Sequence, residues 1–206
     1  MLSDAWIRTY CGPAPGPEDF WFRWNFDPLL LAALSLLFFV VLRARSCHGL
    51  AAVGVLVLAF VSPLCALSSA LFSARVVHHV LLFAVAAPLL ARAWPSRLAG
   101  GVMAAFAAST GVLWGWHLPA AYDLALSHVG VYWLMQISLL GSALWFWRTV
   151  FAPGRTPVEA LTLLIAGFAQ MGLLGAILTF APEALYAAHA VAPMDWGFSP
   201  LADQQL

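Results

Sequence analysis

The sequence predicts an all-α, polytopic membrane protein, and three observations carry that reading. The first is composition: 63% of the 206 residues are hydrophobic and 9% are charged, against about 25% charged in a soluble domain. The second is a series of six continuous apolar runs without apolar/polar alternation, the pattern of spanning helices and not of barrel strands. The third is the sorting of arginines into alternate connections, as the positive-inside rule requires. The formal net charge of zero argues against a nucleic-acid partner. The lipid bilayer is the first partner implied.

Three regions follow in order. Residues 1–27 are polar and rich in Pro and Gly, with Trp6, Trp21 and Trp24 placed to anchor an outer interfacial segment. They lack the basic start and apolar centre of a cleaved signal peptide, so the first span is expected to direct targeting. Asp27-Pro28 reads as an N-cap followed by Pro at the first helical position. Residues 28–180 hold the six expected spans, roughly Pro28–Leu42, Leu50–Leu67, Ser73–Ala93, Leu98–Trp116, Val129–Phe151 and Pro157–Phe180. Most approach the ~20 residues needed to cross. Residues 181–206 form an outer C-terminal segment.

Orientation rests on Arg43, Arg45, Arg92, Arg97, Arg148 and Arg155, which fall in one set of connections, with Arg8, Arg23 and Arg75 on the other side. The acids have the reverse bias, and only Glu159 falls with the six arginines. Both termini are therefore expected outside, which is periplasmic in a Gram-negative host.

Five of the six histidines map to that outer side. His78 and His79 stand at the outer end of the third span, His117 at the end of the fourth, His128 at the start of the fifth, and His189 in the tail. Imidazole is a ligand for copper, zinc and haem iron, and helix ends converging on one metal would explain the one-sided set. The adjacent pair points about 100° apart on a helix, which favours His79 over His78. His128 also reads as a helix-start surface residue and His189 as a solvated loop residue. His48 is expected at the inner interface. Cys11 and Cys65, both on the outer side, suit either a disulfide or a soft ligand for Cu(I). Met103, Met135 and Met171 read as packing. Gly167, Gly172 and Gly175 imply close helix approach, and Gln136 and Gln170 imply hydrogen bonds between helices. No phosphate loop and no nucleophile–base arrangement is present, so an enzyme is not expected. Two further readings compete: a redox protein with one haem near the outer face, and a structural or transport protein that has lost the metal site.

Several motifs resemble one family. LFSARVVHHVLLFAVAAPLLARA, LWGWHLPAAYDLALSH, LGAILTFAPEALYAAHA and WGFSPLADQQL, with WNFDPLLL and Ser62-Pro63, are similar to the membrane CtaG-type cytochrome c oxidase assembly proteins. The resemblance implies a non-enzymatic assembly factor of the bacterial plasma (inner) membrane that aids copper-centre maturation of cytochrome c oxidase. Its implied cofactor is copper, and its implied partners are oxidase subunits or other copper chaperones. It also implies a histidine pair H-x-x-x-H in the third span, where this chain has Arg75 and His79, and histidines in the fifth span where it has Tyr132 and Gln136. The WHLP histidine is His117. The resemblance places Asp203-Gln204 at the start of a further span missing from this sequence. Arg75 departs from that pattern and is expected to pair with Asp123, Asp203 or a lipid phosphate, with the two aspartates as charge partners beside the ligands.

Overall fold

In a computed structural model the chain is all-helical among the described residues, which are 10–95 and 101–206. Arg8, Arg97, Asp4, Trp6 and the expected start of the fourth span at Leu98 lie outside them.

Each helix starts where local chemistry provides a cap. Helix α1, Pro28–Arg43, begins with the Asp27 carboxylate accepting from the backbone N–H groups of Leu29 and Leu30. This satisfies two of the donors that a helix start leaves free. Helix α2, Cys47–Phe60, is capped by Ser46, and α3, Pro63–Ala70, by Ser62. The two together make one broken span, bent by 47°. The cause is at the junction, where Pro63 cannot donate and the Ser62 hydroxyl takes the Leu58 carbonyl.

Helix α4, Phe72–Ala93, is long and apolar enough to cross a membrane. It contains a π-helical stretch, Leu81–Ala86, ending two residues before Pro88. The proline ring would strike the carbonyl of Ala84 in a regular α-helix, and the wider turn relieves that clash. The Trp147 indole donates to the Phe83 carbonyl at 2.7 Å. Helix α5 is Val102–Trp116, α6 is Pro119–Ser127 and α7 is Val129–Val150. Helix α8, Pro157–Thr179, opens with a capping box between Thr156 and Glu159, and α9 is Pro200–Gln205. The short helix α6, between the α5 and α7 helices, was not expected from the sequence.

The helices α4, α7 and α8 are long enough to span, and the bent α2–α3 pair makes a fourth candidate. Helices α1 and α5 are apolar but shorter, at 16 and 15 residues. They reach about 24 and 22 Å, against a hydrocarbon core of about 30 Å.

Helix α7 is the centre of the bundle, packed on α4, α5 and α6, while α2 lies between α1 and α4. A main core gathers Leu56, Phe60, Leu82, Leu113, Met135 and Leu139, and a second one Phe83, Phe146, Trp147 and Leu163. Of the three α8 glycines only Gly167 makes a close approach: a Cβ there would stand 3.0 Å from Phe146, and one at Gly172 or Gly175 would meet nothing. Leu36, Phe39, Ile137, Ile165 and Ile177 face outward, as a lipid-contacting surface requires.

One end of the bundle collects the first described residues and the C-terminal tail. A disulfide joins Cys11 to Cys65, 54 residues apart in sequence, closing a loop worth about 4 kcal/mol on a chain-entropy basis. With its sulfur oxidised, Cys65 is not a copper ligand in this state. Asn25 donates to the Phe60 carbonyl, and the Trp196 indole donates to that of Pro15. At the opposite end the Arg92 guanidinium lies 4.5 Å over the Phe151 ring.

Candidate functional site

The site begins with the face of α4. Arg75, His78, His79, Leu82, Phe83 and Ala86 are buried, while Val76, Val77 and Val80 are exposed. The spacing i, i+3, i+4, i+7 places the buried set on one stripe. The stripe is polar at the N-terminal end of α4 and apolar further along, and valines face outward. Polar groups turned inward and apolar groups outward suit a helix in lipid. His78 and His79 therefore both point inward, at 0% and 5% exposure, although their adjacency had favoured one of them. The signal was the stripe: position 78 is i+3 and position 79 is i+4 from the buried Arg75.

The rings of His78 and His79 lie 5.9 Å apart, centroid to centroid, and those of His79 and His117 5.6 Å apart. Both nitrogens of His78 and of His79 are buried without a hydrogen-bond partner. His117 differs. Its Nδ1 donates to the Leu113 carbonyl at 2.7 Å, which leaves Nε2 as the nitrogen with the lone pair. Burial holds its pKa below the ordinary value, so the imidazole is neutral, the form that binds a metal.

His189 reaches the same region but is already occupied. Its Nδ1 donates to the Ala70 carbonyl at 3.2 Å, and its Nε2 accepts from the Tyr122 hydroxyl at 2.7 Å. Burial, helped by the charge of Arg75, pushes its pKa down to about 3. Burial also raises the Tyr122 pKa, so the phenol keeps its proton and donates. His128 is exposed and bonds to the neighbouring Ser127 hydroxyl. His48 is exposed at the start of α2. The structure thus brings together His78, His79 and His117, holds His189 in a structural bond pair, and leaves His128 apart.

The two aspartates do not pair with Arg75. Asp203, fully buried, accepts from the Phe72 N–H at 2.6 Å and from the N–H and hydroxyl of Ser73 at 3.2 and 2.6 Å. It is the N-cap of α4, supplied from 131 residues away, because Leu71 in the local cap position has no acceptor side chain. Gln204 joins two further backbone groups, accepting from Leu185 N–H at 2.7 Å and donating to the Leu178 carbonyl at 3.0 Å. Asp123 accepts from the N–H groups of Ala187 and Ala188, fixing the 3-10 turn that carries His189. The Tyr186 hydroxyl donates to the His117 carbonyl at 2.9 Å.

Arg75 is 1% exposed. Its Nε donates to the Ser68 carbonyl at 3.0 Å, its guanidinium lies 5.5 Å from the centre of the Tyr132 ring, and its Nη1 has no partner. The Tyr132 hydroxyl donates to Cys11 Sγ at 3.5 Å; the oxidised sulfur has no proton to give. Gln136, 2% exposed, has neither amide atom bonded. Gln170 does make its expected bond, accepting from the Trp114 indole at 2.8 Å.

Together these features define a helical membrane protein with an incompletely satisfied polar cluster buried at one end. A family model described as the cytochrome c oxidase caa3 assembly factor (Caa3_CtaG) matches residues 102–206, just over half of the chain. The chain belongs to that family. The matched part contains His117, Asp123, His128, Tyr132, Gln136, His189 and the Asp203-Gln204 pair, and α4 precedes it. No curated protein and no solved structure matches the chain.

The family reading implies copper, and the residues present offer a limited fit. Among the described residues no three His, Cys, Asp or Glu side chains are arranged to hold a metal ion. The two imidazoles that lie side by side are His79, with both nitrogens free of hydrogen bonds, and His117, with Nε2 free. Imidazole suits copper, and two such ligands are enough for a Cu(I) ion of low coordination number.

Proposed function

We propose that this assembly factor aids copper-centre maturation of cytochrome c oxidase, holding copper between His79 and His117 at the outer face of the bacterial plasma membrane. The carrying observation is the 5.6 Å approach of these rings with nitrogens left free. His78 is the adjacent imidazole available as a further ligand. Copper bound there would be exchangeable, because few ligands hold it; this is what a donor to another protein needs. The protein's own part is to hold the rings in place, through Leu113 and Tyr186 on the His117 side and through the Asp203 cap on α4. The partners are oxidase subunits or another copper chaperone.

The topology that goes with this reading is six crossings with both termini outside. The gathering of the N-terminal segment and the tail at one end supports an even number, and the arginine bias supports the orientation.

Copper stoichiometry of the purified protein under reducing conditions tests the ligand set. Wild type is expected to retain about one Cu(I) per chain, and His79→Ala and His117→Ala to lose it while staying folded. A wild type that retains none sinks the assignment. Oxidase activity in a deletion strain, with and without added copper, tests the cellular role; rescue by copper is the expected outcome.

A further inference from the structure

Arg75 carries a full positive charge into a site with no counter-charge among the described residues. The ion pairs among the described residues are Arg23–Asp19 and Arg155–Glu159. The nearby carboxylates of Asp203 and Asp123 are committed to backbone N–H groups. A neutral carbonyl and an aromatic ring lie against the guanidinium, and neither cancels its charge. An uncompensated buried charge is strongly destabilising, yet Arg75 cannot escape by losing its proton.

The donors around it are also unspent. Arg75 Nη1 and both amide atoms of Gln136 are buried without partners. The guanidinium lies 5.5 Å from the centre of the Tyr132 ring, and Gln136 follows Tyr132 by one turn on the same buried face of α7, so the free guanidinium N–H groups and the Gln136 amide border one place. What is missing there is an acceptor with a negative charge. We infer that this end of the bundle binds a small monovalent anion of halide size, held by Arg75 and Gln136. Small size follows from burial: Arg75, Tyr132 and Gln136 are 1%, 1% and 2% exposed, which leaves no path for a bulky group. A halide suits the weakly hydrated guanidinium better than a strongly hydrated divalent anion. Where the copper reading also holds, the anion removes the repulsion between Arg75 and a cation at His79, four residues along the same face.

The test uses the full chain, purified in detergent, free of metal and equilibrated in gluconate. Chloride or bromide is added at constant ionic strength, and thermal unfolding and the chloride NMR line width are followed. Wild type is expected to show a saturable rise in Tm and saturable line broadening. Gln136→Leu is expected to weaken the apparent affinity about tenfold, and Arg75→Gln to abolish the response. The line-width comparison of wild type with Gln136→Leu decides the matter even if Arg75→Gln does not fold. The inference is overturned by a wild type without saturable halide dependence, by Gln136→Leu binding as tightly as wild type, or by a response to acetate alone. Copper plays no part in these measurements, so their failure leaves the copper reading standing and the reverse also holds.

Discussion

Two sets of buried polar side chains share one end of this bundle, and they differ in how they are satisfied. The tail set, Asp203, Gln204 and His189 with Tyr122, is spent on specific partners. The α4–α7 set, Arg75, His78, His79 and Gln136, keeps nitrogen or oxygen atoms without any. Paired groups hold a structure together, because losing one partner strands the other. Unpaired groups cost stability for as long as nothing binds them. The first set therefore reads as scaffold and the second, on the proposals above, as a place for a ligand, and mutation separates the two.

The largest effect is expected at Asp203. Asp203→Ala removes the charged cap of α4 and strands the Phe72 and Ser73 N–H groups, at a cost of about 3 kcal/mol. Denaturant unfolding in detergent reads this; a loss under about 1 kcal/mol would show that the cap is not structural. Next comes Tyr122→Phe, which leaves His189 Nε2 buried and unpaired. It is expected to cost about 2 kcal/mol without changing copper retention, and a change in retention would move His189 into the ligand set.

The acid response comes third. The His189 pKa in the folded protein lies at about 3 against an ordinary 6.5, so folding favours the neutral ring. Its contribution to stability is fully present above 6.5 and is lost as pH falls from there towards 3, by up to about 1.4 kcal/mol per pH unit. Unfolding measured between neutral and mildly acid pH should show the loss, and His189→Gln should flatten part of it. An unchanged slope in that variant would place the acid sensitivity elsewhere.

The smallest effect on stability belongs to the unpaired set. Gln136→Leu removes two unsatisfied atoms while keeping similar volume, so stability should stay within about 0.5 kcal/mol or rise. A loss of 2 kcal/mol or more would mean that Gln136 has a partner and that the comparison fails.

Much of the fold was legible because bilayer solvation writes itself into local sequence. The Asp27-Pro28 start and most of the apolar runs appear within a residue or two of their expected places, whereas the second expected span, Leu50–Leu67, is broken at Ser62-Pro63 into Cys47–Phe60 and Pro63–Ala70. The end at Trp116 and the start at Val129 likewise agree, and α1 and α5 differ in being shorter than the other apolar helices, at 16 and 15 residues. For the site, sequence gave the candidates: His79 and His117 meet, as the one-sided pattern implied. It did not show that His78 shares the buried stripe with His79, or that His189 is bonded to Tyr122 and the Ala70 carbonyl.

What sequence by itself determined is which segments are helical and apolar and which residues carry chemistry, since both depend on periodicity and residue type. What only the tertiary structure decided is partnership. That Asp203 caps a helix begun 131 residues earlier, that Cys11 bonds to Cys65, and that Arg75 has no carboxylate beside it among the described residues are facts of long-range approach. Hydrogen bonds and ion pairs act over a few ångströms, and only the packed bundle says which groups come that close.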